Sequence, residues 1–115
     1  MAQGLATTVL VVEDEEPVRE VVVRALLRYG HTVVAAASCS DASKHPGPFD
    51  VGIFDIGLGD GDGIELATEL LRQGRVARAI FYTGGADPAR ITQAVELGTV
   101  VSKGDGLEPL LRALG

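Results

Sequence analysis

Five short apolar runs alternate with helical segments along this chain. The first is a continuous β-branched and apolar stretch, which is typical of a strand that is covered on both faces of a sheet. The strands are predicted at residues 8–12, 32–36, 49–54, 79–82 and 100–102. Strands that alternate with helices predict an α/β fold, with a parallel sheet and helices on both of its faces.

The segments between the runs carry helix signals. From Pro17, which suits the first turn of a helix, apolar residues recur at helical spacing as far as Tyr29, and Gly30 follows as a stop signal. The last helix is predicted to be capped by Asp105. This last helix is predicted to end at Leu114. The other helices are predicted at residues 62–73 and 88–97, and residues 38–45 are predicted to form at most a short, weakly apolar helix around Ala42. Residues 1–7 show no periodicity and are predicted to form an irregular start.

Length and composition predict a single domain over residues 1–115. Cys39 is the single cysteine, so no disulfide can form within the chain. No apolar run has the length of a membrane span, and no secretory signal is present, so we expect a soluble, cytoplasmic protein without membrane contact. The net charge of −6 argues against nucleic-acid binding. The acid is concentrated at residues 13–16 and 55–65, which favours divalent cations and basic partner surfaces.

The predicted strands end in polar side chains. The third strand ends in Asp55, at the start of an acidic, glycine-rich loop. Right-handed crossovers place the carboxyl ends of parallel strands at one edge of the sheet, where ligands bind in open α/β folds. The polar residues at or next to the strand ends are Glu13, Asp14, Asp55, Thr83 and Lys103. We therefore expect these side chains to converge.

Carboxylates that converge need a cation, because two of them about 4 Å apart repel each other by several kcal/mol at an effective dielectric near 20. Hard oxygen ligands favour Mg²⁺, which is held in proteins by one or two carboxylates together with phosphoryl oxygens. A carboxylate beside Mg²⁺, a hydroxyl and an ammonium is suited to an incoming phosphoryl group. The sequence thus predicts Asp55 as a nucleophile that becomes an aspartyl phosphate.

Five separated marks make this sequence resemble the receiver domain of two-component response regulators, from Val9 to Leu114. The marks are Glu13-Asp14-Glu15 after the first strand, Asp55 at the end of the third, Asp62-Gly63 opening the next helix, Thr83, and Lys103. Each mark is weak alone, but their order and spacing together are specific. The resemblance implies a flavodoxin-like, doubly wound (βα)5 fold with five parallel strands in the order 2-1-3-4-5.

The resemblance also implies roles for individual residues. The implied Mg²⁺ ligands are Glu13, Asp14, Asp55 and the backbone carbonyl of Gly57. Asp55 would accept a phosphoryl group from a histidine kinase or a histidine phosphotransfer protein. Thr83 would act as the switch hydroxyl, and Lys103 would pair with the phosphoryl group. Such a domain is not an enzyme in its own right, although slow self-dephosphorylation is expected.

Four residues depart from the usual pattern of receivers. Gly59 and Gly104 stand in place of prolines, Gly84 in place of a small alanine, and Val100 in place of the switch aromatic. These departures motivate an alternative hypothesis, a pseudo-receiver that keeps the fold and binds partners without phosphorylation. A third hypothesis is a small phosphohydrolase that uses Asp55 covalently, for which we expect no multiple turnover on phosphate esters.

Overall fold

The computed structural model describes residues 7–115, so most of the predicted irregular start lies outside the described residues. The strands are β1 (Thr8–Val12), β2 (Thr32–Ala36), β3 (Phe49–Phe54), β4 (Gly57–Leu58), β5 (Gly61–Asp62), β6 (Val76–Thr83) and β7 (Gly98–Ser102). The helices are α1 (Glu16–Arg28), α2 (Cys39–Ala42), α3 (Gly63–Arg72), α4 (Pro88–Leu97) and α5 (Glu108–Leu114). None of the helices in residues 7–115 is both long enough and apolar enough to cross a membrane.

Five of the strands form one parallel sheet in the order β2-β1-β3-β6-β7. When the short β4–β5 hairpin is left out of the count, this is the predicted order 2-1-3-4-5. The α/β fold with its doubly wound sheet is therefore confirmed. The carboxyl ends of the five strands share one edge, as the handedness of the crossovers requires.

The hydrophobic core is divided in two by the sheet. In β1, Leu10 and Val12 belong to one cluster while Val9 and Val11 belong to the other. All four side chains are at most 1% exposed, which explains why the strand is apolar at every position. The first cluster is covered by α2, α3 and α4 through residues such as Ala42, Leu70 and Ala94. The second is covered by α1 and α5 through Val22, Leu26 and Leu110.

Two strands begin earlier than the hydrophobic pattern predicted. β6 starts at Val76, which pairs with Phe49. The next two residues of β6 are exposed, so the hydrophobic pattern did not predict a strand there. One of them, Arg78, donates hydrogen bonds to the carbonyls of Ala113 and Leu114 at the end of α5. β7 starts at Gly98, whose backbone packs so closely on Ala79 that a Cβ there would overlap the Ala79 carbonyl oxygen.

The cap predicted for the last helix is wrong. Asp105 closes a 3₁₀ turn over Lys103–Asp105, and α5 begins at Glu108 with Leu107 at its N-cap position. The turn is favoured because the Ser102 hydroxyl accepts a hydrogen bond from the Gly104 N–H at 3.2 Å. Gly106 then reverses the chain with a φ of 80°, a conformation that glycine adopts at little cost.

The β4–β5 hairpin was not predicted, because its strands are two residues long and show no hydrophobic period. Gly57 pairs with Asp62 and Leu58 pairs with Gly61. Asp60, at its tip, accepts hydrogen bonds from the backbone N–H groups of Cys39 at 2.8 Å and Ser40 at 3.0 Å. The hairpin that follows Asp55 is thereby tied to the start of α2.

The surroundings of Cys39 change the pKa of its thiol. Burial, together with the charge of Asp60, raises the pKa of the Cys39 thiol from 9.0 to about 11. Only the thiolate is alkylated, so at about pH 8 we expect native protein to react with iodoacetamide about a hundredfold more slowly than protein unfolded in urea. The measurement is the alkylation rate followed by mass spectrometry. Equal rates in the two states would contradict the raised pKa.

Candidate functional site

Two adjacent strands bring three acidic side chains together. Val12 of β1 pairs with Phe54 of β3, and each strand is followed directly by acid. The Asp55 N–H also donates to the Val12 carbonyl at 3.2 Å, which continues the pairing to the site itself. Glu13, Asp14 and Asp55 each offer a carboxylate oxygen within 4.8 Å of the others. Glu13 and Asp55 are only 3% and 8% exposed, so their charges are poorly solvated.

Lys103, directly after β7, supplies the positive charge of the site. Its Nζ lies 2.8 Å from Asp55 Oδ2, 3.0 Å from Glu13 Oε1 and 3.4 Å from Glu15 Oε1. Partial burial by itself would lower the pKa of Lys103, but the contacts with Asp55 and Glu13 raise the pKa overall. The ammonium is therefore charged at neutral pH. Sequence reasoning did not assign Glu15 to this contact.

Thr83 contacts the same acid from the end of β6. Its hydroxyl donates to Asp55 Oδ1 at 3.2 Å, and the residue is 6% exposed. The two carboxylate oxygens of Asp55 are thus held separately, Oδ1 by a hydroxyl and Oδ2 by an ammonium. This arrangement fixes the orientation of the carboxylate within the site.

The electrostatics of the site fit a divalent cation. Burial raises the pKa of Glu13 above 4.5, and the Lys103 ammonium and the Glu15 N–H only partly offset this effect. Three carboxylates surround one ammonium, so negative charge is in excess. The donors are all oxygens, which is the chemistry that Mg²⁺ and Ca²⁺ prefer. Glu13, Asp14 and Asp55 therefore form a group that could hold such an ion.

The site opens into a cavity of about 640 Å³ at the carboxyl edge of the sheet. Every predicted site residue except Glu13 lines this cavity, including Gly57. A Cβ built on Gly57 would meet no atom of residues 7–115 within 4 Å, so its backbone faces open space. The cavity is also lined by Arg90 of α4, which sequence reasoning missed.

The four departures from the receiver pattern do not disperse the site. Two of the four glycine and valine positions lie next to site residues. A Cβ on Gly59 would lie 3.4 Å from Asp14 Oδ2, and a Cβ on Gly84 would lie 3.5 Å from Lys103 Cδ. The peptide bond before Gly104 is trans, and Lys103 nonetheless reaches Asp55. Val100 lines a smaller cavity of about 230 Å³ together with Thr83 and Ile91.

The chain matches the model of the response regulator receiver domain family over residues 9–113. It therefore belongs to this family, and it is a receiver domain of two-component signal transduction.

Similar proteins are found among both sequences and structures. The sensor kinase CckA of Brucella abortus (strain 2308) is 38% identical over 88 residues, which cover 73% of this chain but 9% of the kinase. A response regulator of Burkholderia pseudomallei, solved with a phosphorylated aspartic acid, a calcium ion and citrate, is 30% identical to this chain. The structural match has a TM-score of 0.83 and covers 95% of this chain and 66% of that regulator. The chemotaxis protein CheY4 of Vibrio cholerae is 25% identical, with a TM-score of 0.83 and coverage of 96% and 97%.

Proposed function

We propose that this receiver domain accepts a phosphoryl group on Asp55 in a reaction that requires Mg²⁺, and that phosphorylation changes which partners it binds. The observation that carries the proposal is the setting of the Asp55 carboxylate. It lies between the Thr83 hydroxyl and the Lys103 ammonium, next to two further carboxylates and on the wall of an open cavity. This is the arrangement that a phosphoryl acceptor needs.

Glu13, Asp14 and Asp55 are the side chains that would hold the metal ion, with the Gly57 carbonyl as a further oxygen ligand. When bound, Mg²⁺ would neutralise charge on the phosphoryl oxygens. Lys103 would bind a phosphoryl oxygen in place of one of the three carboxylates that its ammonium now contacts. The Burkholderia regulator, which was solved with a phosphorylated aspartic acid and a calcium ion, supports this assignment.

The transfer step can be written with one bond formed and one broken. An Asp55 carboxylate oxygen forms a bond to phosphorus while the P–N bond of a phosphohistidine on the donor breaks. The ring nitrogen keeps the electron pair of that bond, so a phosphohistidine whose other ring nitrogen is protonated becomes a neutral histidine. The product is an acyl phosphate on Asp55, whose negative charge now lies on the phosphoryl oxygens.

The same charge movement gives a reason for switching. Before transfer, the Thr83 hydroxyl and the Lys103 ammonium are both engaged by Asp55. After transfer, the phosphoryl oxygens are the stronger acceptors, so both side chains are expected to follow them. The loops that carry these residues would then shift between two arrangements, which is a change in population rather than a new fold.

A histidine kinase or a histidine phosphotransfer protein is the donor we propose. Support comes from the similarity to part of a sensor kinase and from the family itself. The acidic rim of the cavity, with Asp14 and Glu15 on its wall, is complementary to a basic surface around the donor histidine.

The direct test uses acetyl phosphate as a small donor. We expect the intact mass to rise by one phosphoryl group when Mg²⁺ is present and to stay unchanged when the metal is removed with EDTA. Peptide mapping after borohydride reduction should place the modification on Asp55. A protein that takes no label with Mg²⁺ would instead favour a receiver that binds partners without phosphorylation. Label on another residue would show that Asp55 is not the acceptor.

A further inference from the structure

The first turn of α4 carries a charge of unexpected sign. It reads Pro88-Ala89-Arg90, preceded by Asp87 as the N-cap, whose carboxylate accepts from the Arg90 N–H at 3.1 Å. The start of a helix is its positive end, where acidic side chains are favoured and basic ones are not. Arginine at this position therefore needs a compensating interaction, and violations of local preference are often found at functional sites.

The compensation comes from Asp62, which forms an ion pair with Arg90 through Oδ2. Asp62 is the N-cap of α3, and its other oxygen accepts from the Ile64 N–H at 2.8 Å and, less closely, from Glu65. The ion pair thus joins the starts of two helices. The Arg90 and Asp62 side chains are 30% and 28% exposed, so the pair is accessible to solvent and can exchange partners.

Arg90 also lines the cavity that contains Asp55, Thr83 and Lys103. Within the described part of the chain, Lys103 and Arg90 are the two cationic side chains on its wall. Lys103 already contacts three carboxylates, which reduces the charge it can offer to a further anion. A guanidinium is planar and donates in a fork that matches two phosphoryl oxygens.

We propose that Arg90 is a second phosphoryl-contacting residue. When the phosphoryl group arrives at Asp55, the Arg90 side chain gives up its ion pair with Asp62 and binds the phosphoryl oxygens instead. This inference rests on the proposed function, since it needs Asp55 as the acceptor. In the unphosphorylated protein Asp62 competes for the guanidinium. When Arg90 binds the phosphoryl group, the Asp62–Arg90 ion pair that joins α3 and α4 is lost. Phosphorylation of Asp55 thereby changes the contacts of α4.

Three variants test whether Arg90 exchanges Asp62 for the phosphoryl group. The measurement is the rate of labelling, that is, the rate at which the protein is phosphorylated by acetyl phosphate in the presence of Mg²⁺. Arg90→Gln should slow labelling at low donor concentration about tenfold, mainly by raising the concentration needed for half-saturation. Asp62→Asn should accelerate it, by up to about fivefold, because Arg90 loses its ion pair and keeps only the neutral contact with Gln93 Oε1 at 2.6 Å, while asparagine still caps α3. The double variant should behave as Arg90→Gln alone, since the gain requires the arginine.

Arg72→Gln is the matched control. It also removes one positive charge, but its partner is Glu69 near the far end of α3, so its labelling rate should equal that of the wild type. Three results would overturn the proposal: labelling of Arg90→Gln at the wild-type rate, slower labelling of Asp62→Asn, or equal slowing in Arg72→Gln. Slower labelling of Asp62→Asn would show that the ion pair serves only to stabilise the positions of α3 and α4.

A spectroscopic measurement gives a second readout. The Nε–H resonance of Arg90 in ¹⁵N-labelled protein should shift when Mg²⁺ and beryllofluoride, a phosphoryl mimic, are added together. The shift should also appear in Asp62→Asn. An Arg90 signal that stays in place while the Asp55 and Thr83 amides move would overturn the role of Arg90 and leave the proposed function standing. A wild-type protein that takes neither label nor mimic would overturn both.

Discussion

Asp55→Asn is expected to abolish phosphoryl acceptance and to leave the fold intact. Asparagine has nearly the same shape, and its side-chain oxygen can still accept the Thr83 hydroxyl that now lies 3.2 Å from Asp55 Oδ1. It lacks the carboxylate oxygen that forms the bond to phosphorus. The negative charge facing Lys103 also falls by one, while Glu13 and Glu15 still pair with it. The measurement is the intact mass after treatment with acetyl phosphate and Mg²⁺.

Asp50→Asn is the matched control for this variant. Asp50 lies near the start of β3, the strand that Asp55 follows, and there it is exposed and accepts from the Thr8 N–H and hydroxyl at 2.9 and 3.0 Å. It should be labelled as the wild type is. Label that persists in Asp55→Asn at the wild-type level would show that another residue is the acceptor. Coincident circular dichroism spectra of the three proteins would establish that folding does not explain the difference.

Gly63→Ala is expected to destabilise the protein by about 3 kcal/mol, although alanine is the better helix former by about 1 kcal/mol. A Cβ on Gly63 would overlap the carbonyl oxygen of Asp55 and lie 2.8 Å from its carbonyl carbon. These are backbone atoms, so rotation of a side chain cannot relieve the clash. The Gly63 N–H also donates to the Ile56 carbonyl at 2.8 Å, and this hydrogen bond would be strained too.

The measurement for Gly63→Ala is urea unfolding followed by far-UV circular dichroism, and the control is Gly85→Ala. A Cβ on Gly85 would meet no described atom within 4 Å, so its free energy of unfolding should stay within about 1 kcal/mol of the wild type. Gly63→Ala should also lose phosphoryl acceptance, because the Asp55 backbone must move. An unchanged unfolding midpoint for Gly63→Ala would contradict the close approach of α3 to Asp55.

The fold was predictable because its central strands, β1 and β3, are apolar and buried on both faces. β1 is buried at Val9 and Leu10 on opposite sides of the sheet, and such continuous runs stand out in a sequence. Asp55 was found for a related reason, since an acid that ends an apolar run must lie at a sheet edge. By contrast, the early residues of β6 were missed because Arg78 is exposed and paired with the end of α5.

Two ion pairs of the site were not predictable in the same way. Glu15 contacts Lys103 from 88 residues away in the sequence, and Asp62 meets Arg90 across two helix starts. Neither contact leaves a periodic signal, because one charged residue among others in a loop or first turn is common. Gly63 could be predicted to open a helix, but its approach to the Asp55 carbonyl depends on the path of the hairpin between them.

The order of strands and helices along the chain, and the polar groups that follow each strand, could be predicted from the amino-acid sequence, because burial of the central strands on both faces of a parallel sheet restricts which residues they can contain. The folded chain was needed to show which oxygen of Asp55 faces the Thr83 hydroxyl, which oxygen faces Lys103, and that Arg90 lines the same cavity. Those relations depend on distances of a few ångströms between side chains far apart in the chain. Such distances are set by the register of the neighbouring strands and by how the helices pack on the sheet.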